Sequence, residues 1–151
     1  MTSSQHSSDS LRLDESQSVA ISHASDLYRL LEAIDVAFPR DATLYIEGTS
    51  IAPELKAFLE LRGVPPRRAI ARGTAYPAPR TFHLPLGGRN LADLRALAEN
   101  HAGPEICDHL AVYRDDELLL TAYDAANGEV NVARSLPESV IHELRHSLGE
   151  S

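Results

Sequence analysis

The stretch from Ile106 to Leu148 constrains the fold most, because it has the pattern of three short strands followed by one helix. The strand segments are rich in β-branched, aromatic and aliphatic residues and are bounded by turn residues. Their bounds are Asp108–Arg114, Glu117–Tyr123 and Glu129–Ala133. The pattern predicts an antiparallel three-stranded meander.

Two turns set the predicted register of this meander. Asn127-Gly128 is a strong hairpin signal because a type I′ turn needs positive φ at both central positions, and Asp115-Asp116 is a weaker version. Two-residue loops would pair Val112 with Leu119, Leu110 with Thr121, Tyr123 with Val132 and Ala125 with Val130. These side chains would then share one apolar face, since side chains alternate along a strand. A first loop of odd length would instead move Leu110 to the face of Leu118 and Leu120.

A terminal amphipathic helix follows the third strand directly. Ser135 and Glu138 have the spacing of a capping box, with Pro137 between them in the first turn, where its missing N–H costs nothing. One stripe of the helix is apolar and must be buried, and the sheet face is the nearest candidate. The stripe comprises Val140, Ile141, Leu144 and Leu148.

Two helices and a strand are predicted in the first part of the domain. Ser25 is placed to cap a first helix, which ends at Phe38-Pro39. A short strand spans Thr43–Glu47. Pro53 opens a second helix, and Gly63 ends it.

A third helix, capped by Asn90, lies between these elements and the meander. The order of elements predicts an α+β fold in the form of a two-layer sandwich. In it, an N-terminal α-β-α segment packs on the C-terminal antiparallel three-stranded meander and its terminal helix.

Residues 1–24 differ from the rest of the chain in being polar and serine-rich. Such a segment cannot bury enough apolar area to offset its ordering entropy. We therefore predict a disordered tail over residues 1–24 and a single α+β domain over residues 25–151. The alternative is a short extended piece docked through apolar residues of the tail, namely Leu11, Leu13, Val19 and Ile21.

Composition limits the classes of partner and compartment. The chain of 151 residues carries a net charge of −8, so a protein that coats nucleic acid or an anionic membrane with its whole surface is not expected. Its single cysteine, Cys107, cannot form an internal disulfide. There is neither an apolar run long enough to span a bilayer nor a signal-peptide pattern. We therefore expect a cytoplasmic protein without a membrane partner.

Residues 63–89 depart from the regular pattern and form the predicted binding site. They hold five of the nine prolines and four of the eight glycines, and no acidic residue occurs between Glu60 and Asp93. Long loops inside a compact domain are often functional. The predicted binding residues are Arg67, Arg68, Arg72, Arg80, Arg89 and Asn90.

These features favour a non-enzymatic interaction module that binds a protein or another charged partner through residues 63–89, as an inhibitor or immunity-type protein would. In the competing interpretation, the arginines pair with acids elsewhere in the fold, such as Asp41, Glu47 or Glu54. A further alternative is a phosphate or nucleic-acid site before the helix at Asn90, because the N-terminus of a helix favours an anion.

The acidic turns of the meander suggest a separate surface for a basic partner. Ordinary turn chemistry and solubility explain the same residues, which are Asp108, Asp115, Asp116, Glu117, Asp124 and Glu129. His109, on the mixed face of the sheet, is expected to be a hydrogen-bonded structural histidine rather than a catalytic base.

The terminal helix contains a motif that is typical of metal binding rather than of an interaction module. Residues 142–146 have the form H-E-x-x-H, which resembles the zinc-binding helix of zincin metallopeptidases. The resemblance implies a zinc-dependent hydrolase in which His142 and His146 bind Zn²⁺ and Glu143 activates the bound water. The upstream candidates for a third ligand are Glu105, Asp108 and His109. At about 100° per residue, however, both histidines lie opposite the apolar stripe, which favours a solvated helix face and no cofactor.

Overall fold

One antiparallel sheet of six strands organises the computed structural model, which describes residues 13, 15–22, 27–67, 70, 78–123, 125 and 129–149. The strands are β1 (Ser18–Ser22), β2 (Thr43–Gly48), β3 (Arg80–Pro85), β4 (His109–Arg114), β5 (Glu117–Ala122) and β6 (Glu129–Ala133). Their order across the sheet is β1-β6-β5-β4-β2-β3. The order places β2 between β4 and β3, so the first half of the domain is built into the same sheet as the meander.

Helices pack against one face of this sheet. In the described parts of the chain they are α1 (Leu27–Ala37), α2 (Pro53–Arg62), α3 (Asn90–Ala98), α4 (Gly103–Ile106) and α5 (Glu138–Ser147). Their buried side chains join alternate residues of the strands, such as Leu44, Leu110 and Val132, in one apolar cluster. This architecture confirms the predicted α+β two-layer sandwich.

The predicted register between β4 and β5 is wrong. An irregularity between Val112 and Tyr113 leaves Leu119 as an extra residue in β5, so the pairing shifts by one beyond it. The observed pairs are Tyr113–Leu118, Val112–Leu120 and Leu110–Ala122. The loop itself has two residues as predicted, because Arg114 lies opposite Glu117.

The second hairpin is also longer than predicted. The strands end at Ala122 and begin again at Glu129, so more than two residues connect them. Asn127-Gly128 lies outside the described residues. The predicted pairs of Tyr123 with Val132 and Ala125 with Val130 are replaced by Leu120–Val132 and Thr121–Asn131.

The start of α5 differs from the predicted capping box. The helix begins at Glu138 with Pro137 at the N-cap position and without a side-chain cap. The Ser135 hydroxyl instead donates a hydrogen bond to Glu117 Oε2 at 2.6 Å. The hydroxyl therefore ties the chain before α5 to the β4–β5 hairpin. The predicted cap at Ser25 lies outside the described residues.

Part of the predicted tail belongs to the sheet. Residues 18–22 form the edge strand β1, which pairs with β6, and Ile21 is fully buried in the apolar cluster. The alternative of a docked extended piece therefore describes this part of the chain, because Val19 and Ile21 on one face supply enough apolar area. Within the part of the chain that the structure describes, no helix has the length and apolar character needed to cross a bilayer.

Candidate functional site

The described residues after α2, 63–67 and 70, contact the edge strand β3 and the sheet face opposite the helices. Val64 forms an isolated bridge with His83 of the edge strand β3. The backbone N–H of Arg67 donates a hydrogen bond to the Tyr113 hydroxyl at 3.2 Å. Ile70 packs against the small apolar cluster that contains Tyr113. The described part of the segment is thus attached to the sheet.

Three predicted binding residues lie in the first part of this segment. The Arg67 side chain is exposed, and its Nη1 approaches the Thr43 hydroxyl at 3.4 Å. Arg68 and Arg72 lie outside the described residues, so the prediction for them stays a prediction.

Two further predicted residues, Arg80 and Arg89, form ion pairs with acids of α2 and α3, as Arg62 does, and we call these three arginines the arginine patch. Arg80 contacts Glu60 at 2.8 Å, while Arg62 and Arg89 both contact Asp93, at 3.2 and 3.7 Å. Arg62 and Arg89 therefore share the Asp93 carboxylate, whereas Arg80 pairs with Glu60. The acids come from α2 and α3, so the fold supplies partners that residues 63–89 lack.

Two guanidinium groups of the arginine patch stack on aromatic rings. Arg62 lies over the Phe58 ring at 4.9 Å, and Arg80 lies over the Phe82 ring at 5.6 Å. The patch side chains remain 39–81 % exposed. Stacking holds the planar faces and leaves N–H edges accessible to a carboxylate.

Asn90 does not cap α3 as predicted. The N-cap residue is Arg89, and no side chain caps this end. Asn90 Nδ2 donates to the Pro85 carbonyl, and its Oδ1 accepts from Arg62, both at 3.0 Å. The side chain therefore fixes α3 to β3 and orients Arg62, so its polar atoms are already engaged within the protein.

A second group of polar residues, which sequence analysis did not bring together, is buried on the sheet face opposite the helices. We call Tyr45, Glu47, His83, His109 and Tyr113 the buried polar layer. The Tyr45 hydroxyl donates to Glu47 Oε1 at 2.7 Å, and His83 Nδ1 shares a hydrogen bond with the Tyr113 hydroxyl at 2.8 Å. His109 stacks on the Tyr123 ring at 4.3 Å, in agreement with a structural histidine.

One sequence signal pointed to this layer. Tyr45 and Glu47 alternate with the buried Leu44 and Ile46, so β2 carries side chains suited to burial on one face and hydrogen-bonding groups on the other. Every residue of β2 is buried, which is typical of a central strand covered on both faces.

Burial lowers the pKa of His83 below its ordinary value. In the neutral ring, Nδ1 accepts the Tyr113 O–H, and the Tyr113 oxygen accepts the Arg67 N–H. The unfolded chain binds the proton more readily, so His83 should lower stability as the pH falls below about 6.5.

We expect His83→Gln to become more stable relative to the wild type as the pH is lowered from about 7 to 5. Denaturant titrations of both proteins across this range measure the difference. A hydrogen bond to Glu105 raises the pKa of His101, which gives the opposite trend, but His101 is present in both proteins and cancels. A difference that stays constant or reverses would contradict the proposed state of His83.

The H-E-x-x-H residues lie on the exposed side of α5. His142, Glu143 and His146 all face outward, and Glu143 accepts a hydrogen bond from the Ser147 hydroxyl at 3.3 Å. The upstream candidates are engaged elsewhere: Glu105 with His101, Asp108 with Thr49, and His109 with Tyr123. Among the described residues, no three His, Cys, Asp or Glu side chains are placed to share a metal ion. Within that part of the chain, the zinc interpretation therefore has no third ligand.

The same face of α5 lines an open groove of about 990 Å³ beside β1. Val19 and Ile141 are half-buried in it. The charged residues along it are Arg134, Glu138, Glu143 and Arg145, and His142 also lines it.

Cys107 is not suited to nucleophilic chemistry. The thiol is buried, and desolvation, reinforced by the negative charges of Asp108 and Glu47, raises its pKa well above the usual range. The side chain therefore stays protonated at neutral pH.

The structure thus brings Arg89 together with Arg62 at Asp93, while Arg80 pairs with Glu60 and Arg67 contacts Thr43. No family model, curated protein or solved structure matches the chain. The arrangement of side chains is therefore what a functional proposal can rest on.

Proposed function

We propose that the protein is a non-enzymatic interaction module that binds an acidic segment of a partner protein through the arginine patch. The observation that carries the proposal is that two exposed guanidinium groups, those of Arg62 and Arg89, share the single carboxylate of Asp93. This imbalance leaves a local positive charge on a protein whose net charge is −8. An inhibitor or immunity-type protein would use such a surface.

The internal ion pairs of the arginine patch do not prevent binding. Exposed ion pairs contribute about 0–1 kcal/mol, so a partner carboxylate can compete with Glu60 or Asp93 for a guanidinium group. Arg89 is the most available, because it is 81 % exposed and its contact with Asp93 is long at 3.7 Å. Bidentate contacts to carboxylates are stronger than point-charge contacts, which favours arginine at such a site.

Two observations favour an interaction role over catalysis. Glu47, His83 and His109 could act as acids or bases, but all three are buried. Within the described part of the chain, the exposed His142 and His146 have no third metal ligand.

A protein partner is favoured over nucleic acid because Asn90 already uses its polar side-chain atoms and two carboxylates lie within the patch. A phosphate backbone would meet these carboxylates as like charges, whereas a folded partner can place its own cations opposite them.

Binding of a short fluorescent poly-glutamate peptide, followed by anisotropy, tests the proposal. We expect the double variant Arg80→Ala/Arg89→Ala to bind the peptide about fivefold or more weakly than the wild type. The control is Arg114→Ala, because Arg114 is also half-exposed and paired with one acid, Asp41. Equal effects of the double variant and the control would refute the proposal.

A DNA duplex serves as the second probe in the same assay. If the duplex bound more tightly than the peptide, with affinity falling log-linearly with salt, the nucleic-acid alternative would replace the protein-partner proposal.

A further inference from the structure

The last turn of α2 presents a leucine to solvent. Leu61 is 79 % exposed, whereas Leu55 and Leu59 of the same helix are buried in the apolar cluster. At about 100° per residue, Leu61 is turned about 160° from Leu59, so it points away from this cluster. Ala57, one turn earlier on the same side, is small and exposed, and it leaves the Leu61 side chain open. Single exposed leucines are ordinary on protein surfaces, so the surroundings of Leu61 decide what it means.

Leu61 lies between two parts of the arginine patch. Its neighbours in sequence are Glu60, which pairs with Arg80, and Arg62, which pairs with Asp93. These neighbours are turned from Leu61 by about 100° in opposite directions, so they leave α2 on its two flanks. The elements beside the flanks agree, because Arg80 comes from β3 and Asp93 from α3. Arg80 therefore lies on one flank of α2 and Arg62 on the other, with Leu61 on the outer face between them.

We infer, on the basis of the proposed function, that the acidic segment of the partner carries an apolar residue between two acidic residues and crosses α2 in an extended conformation. Side chains at alternate positions of an extended chain face the same side. The pattern acidic-x-apolar-x-acidic thus directs two carboxylates and one apolar group to one surface, over about 13 Å. A helix with its side chains is about 10–12 Å wide, so the carboxylates can reach both flanks.

The contacts available on α2 match the three side chains of such a segment. One carboxylate meets Arg80, which is 53 % exposed, and the other meets Arg89, which is 81 % exposed and shares Asp93 with Arg62. The apolar side chain packs on Leu61. The half-buried Phe58 ring, one turn before Leu61 and under the Arg62 guanidinium, extends this apolar surface. Apolar, aromatic and arginine side chains together are typical of protein–protein interfaces.

Three fluorescent peptides of equal charge test this inference by anisotropy. The leucine peptide contains Glu-Ser-Leu-Ser-Glu, and the serine peptide contains Glu-Ser-Ser-Ser-Glu. We expect the wild type to bind the leucine peptide about fivefold more tightly, because contact with Leu61 removes apolar surface from water. The third peptide, Glu-Leu-Ser-Ser-Glu, directs its leucine to the opposite side of an extended chain, so it should bind no more tightly than the serine peptide.

Variants of α2 and of the arginines locate the contacts. Leu61→Ser should abolish the preference, so that the leucine and serine peptides bind with similar affinity. The matched control is Val36→Ser, because Val36 is 63 % exposed on a different helix, α1, and this variant should keep the preference. Arg80→Ala and Arg89→Ala, made singly, should each weaken binding of the leucine peptide about two- to fivefold, since one arginine lies on each flank.

The results distinguish this inference from the proposed function. If poly-glutamate binds through the arginine patch but the leucine and serine peptides bind equally, the proposed function stands and the contact with Leu61 is refuted. A preference that Leu61→Ser retains, an equal gain for the third peptide, or dependence on only one of the two arginines would also refute the crossing of α2. If no acidic peptide depends on the arginines, the proposed function fails, and this inference fails with it.

Discussion

Replacing Leu59 with alanine should lower the free energy of unfolding by about 2–5 kcal/mol, because the change leaves a cavity in the apolar cluster. Leu59 is 1 % exposed on α2, and it packs between the sheet and the other helices. Urea denaturation of the variant and the wild type measures the difference.

Leu61→Ala is the matched control for this prediction. Leu61 lies two residues further along the same helix and is 79 % exposed. The replacement has the same helix-propensity effect at both positions, so burial is the main difference. We expect Leu61→Ala to change stability by less than about 0.5 kcal/mol. Similar losses for both variants would mean that α2 presents a different face to the sheet.

Tyr113→Phe should destabilise the fold by about 1–3 kcal/mol although it removes a single oxygen, because it leaves buried polar groups without a partner. The hydroxyl contacts both His83 Nδ1 and the Arg67 N–H. Its loss should also increase hydrogen exchange at the Arg67 amide, since this hydrogen bond attaches residues 63–67 to the sheet.

Urea denaturation and amide hydrogen exchange give the two readouts. Tyr28→Phe on α1 is the control, because Tyr28 belongs to the helical layer and not to the buried polar layer. If Arg67 exchanged at the wild-type rate in Tyr113→Phe, the attachment of the segment would not depend on this hydroxyl.

The helices were predictable because helical periodicity is a local signal. Leu27, Leu30, Leu31 and Ile34 of the predicted first helix are all buried in α1. In α5 the stripe was only partly correct, since Leu144 and Leu148 are fully buried while Val140 and Ile141 are half-buried. The helical repeat of apolar residues identifies which face of a helix is apolar. It does not show how much of that face the neighbouring layer covers.

The sheet was less predictable because strand pairing depends on distant residues. Alternation in β4 and β5 correctly indicated strands, yet the extra residue Leu119 changes which residues face each other. The insertion of β2 between β4 and β3 has no local signal at all. Residues 1–24 have the polar composition of a disordered tail, yet the β-branched residues Val19 and Ile21 allow an edge strand to form within them.

The candidate site was also predictable only in part. Composition identified Arg80 and Arg89, because the absence of acids between residues 60 and 93 is visible in the sequence. Their contacts with Glu60 and Asp93 arise where β3, α2 and α3 meet, which sequence spacing does not reveal. The buried polar layer was missed for a related reason: an exposed strand face and a covered polar face have the same alternating pattern.

The proposed function requires that the arginine patch carries positive charge that its own carboxylates do not neutralise and that a partner can bind. Its own carboxylates should then act as competitors, and removing their charge should strengthen binding. We expect the double variant Glu60→Gln/Asp93→Asn to bind the poly-glutamate peptide about two- to tenfold more tightly than the wild type. Unchanged or weaker binding would show that Glu60 and Asp93 already use the guanidinium groups as structural partners, and that the patch is not a recognition surface.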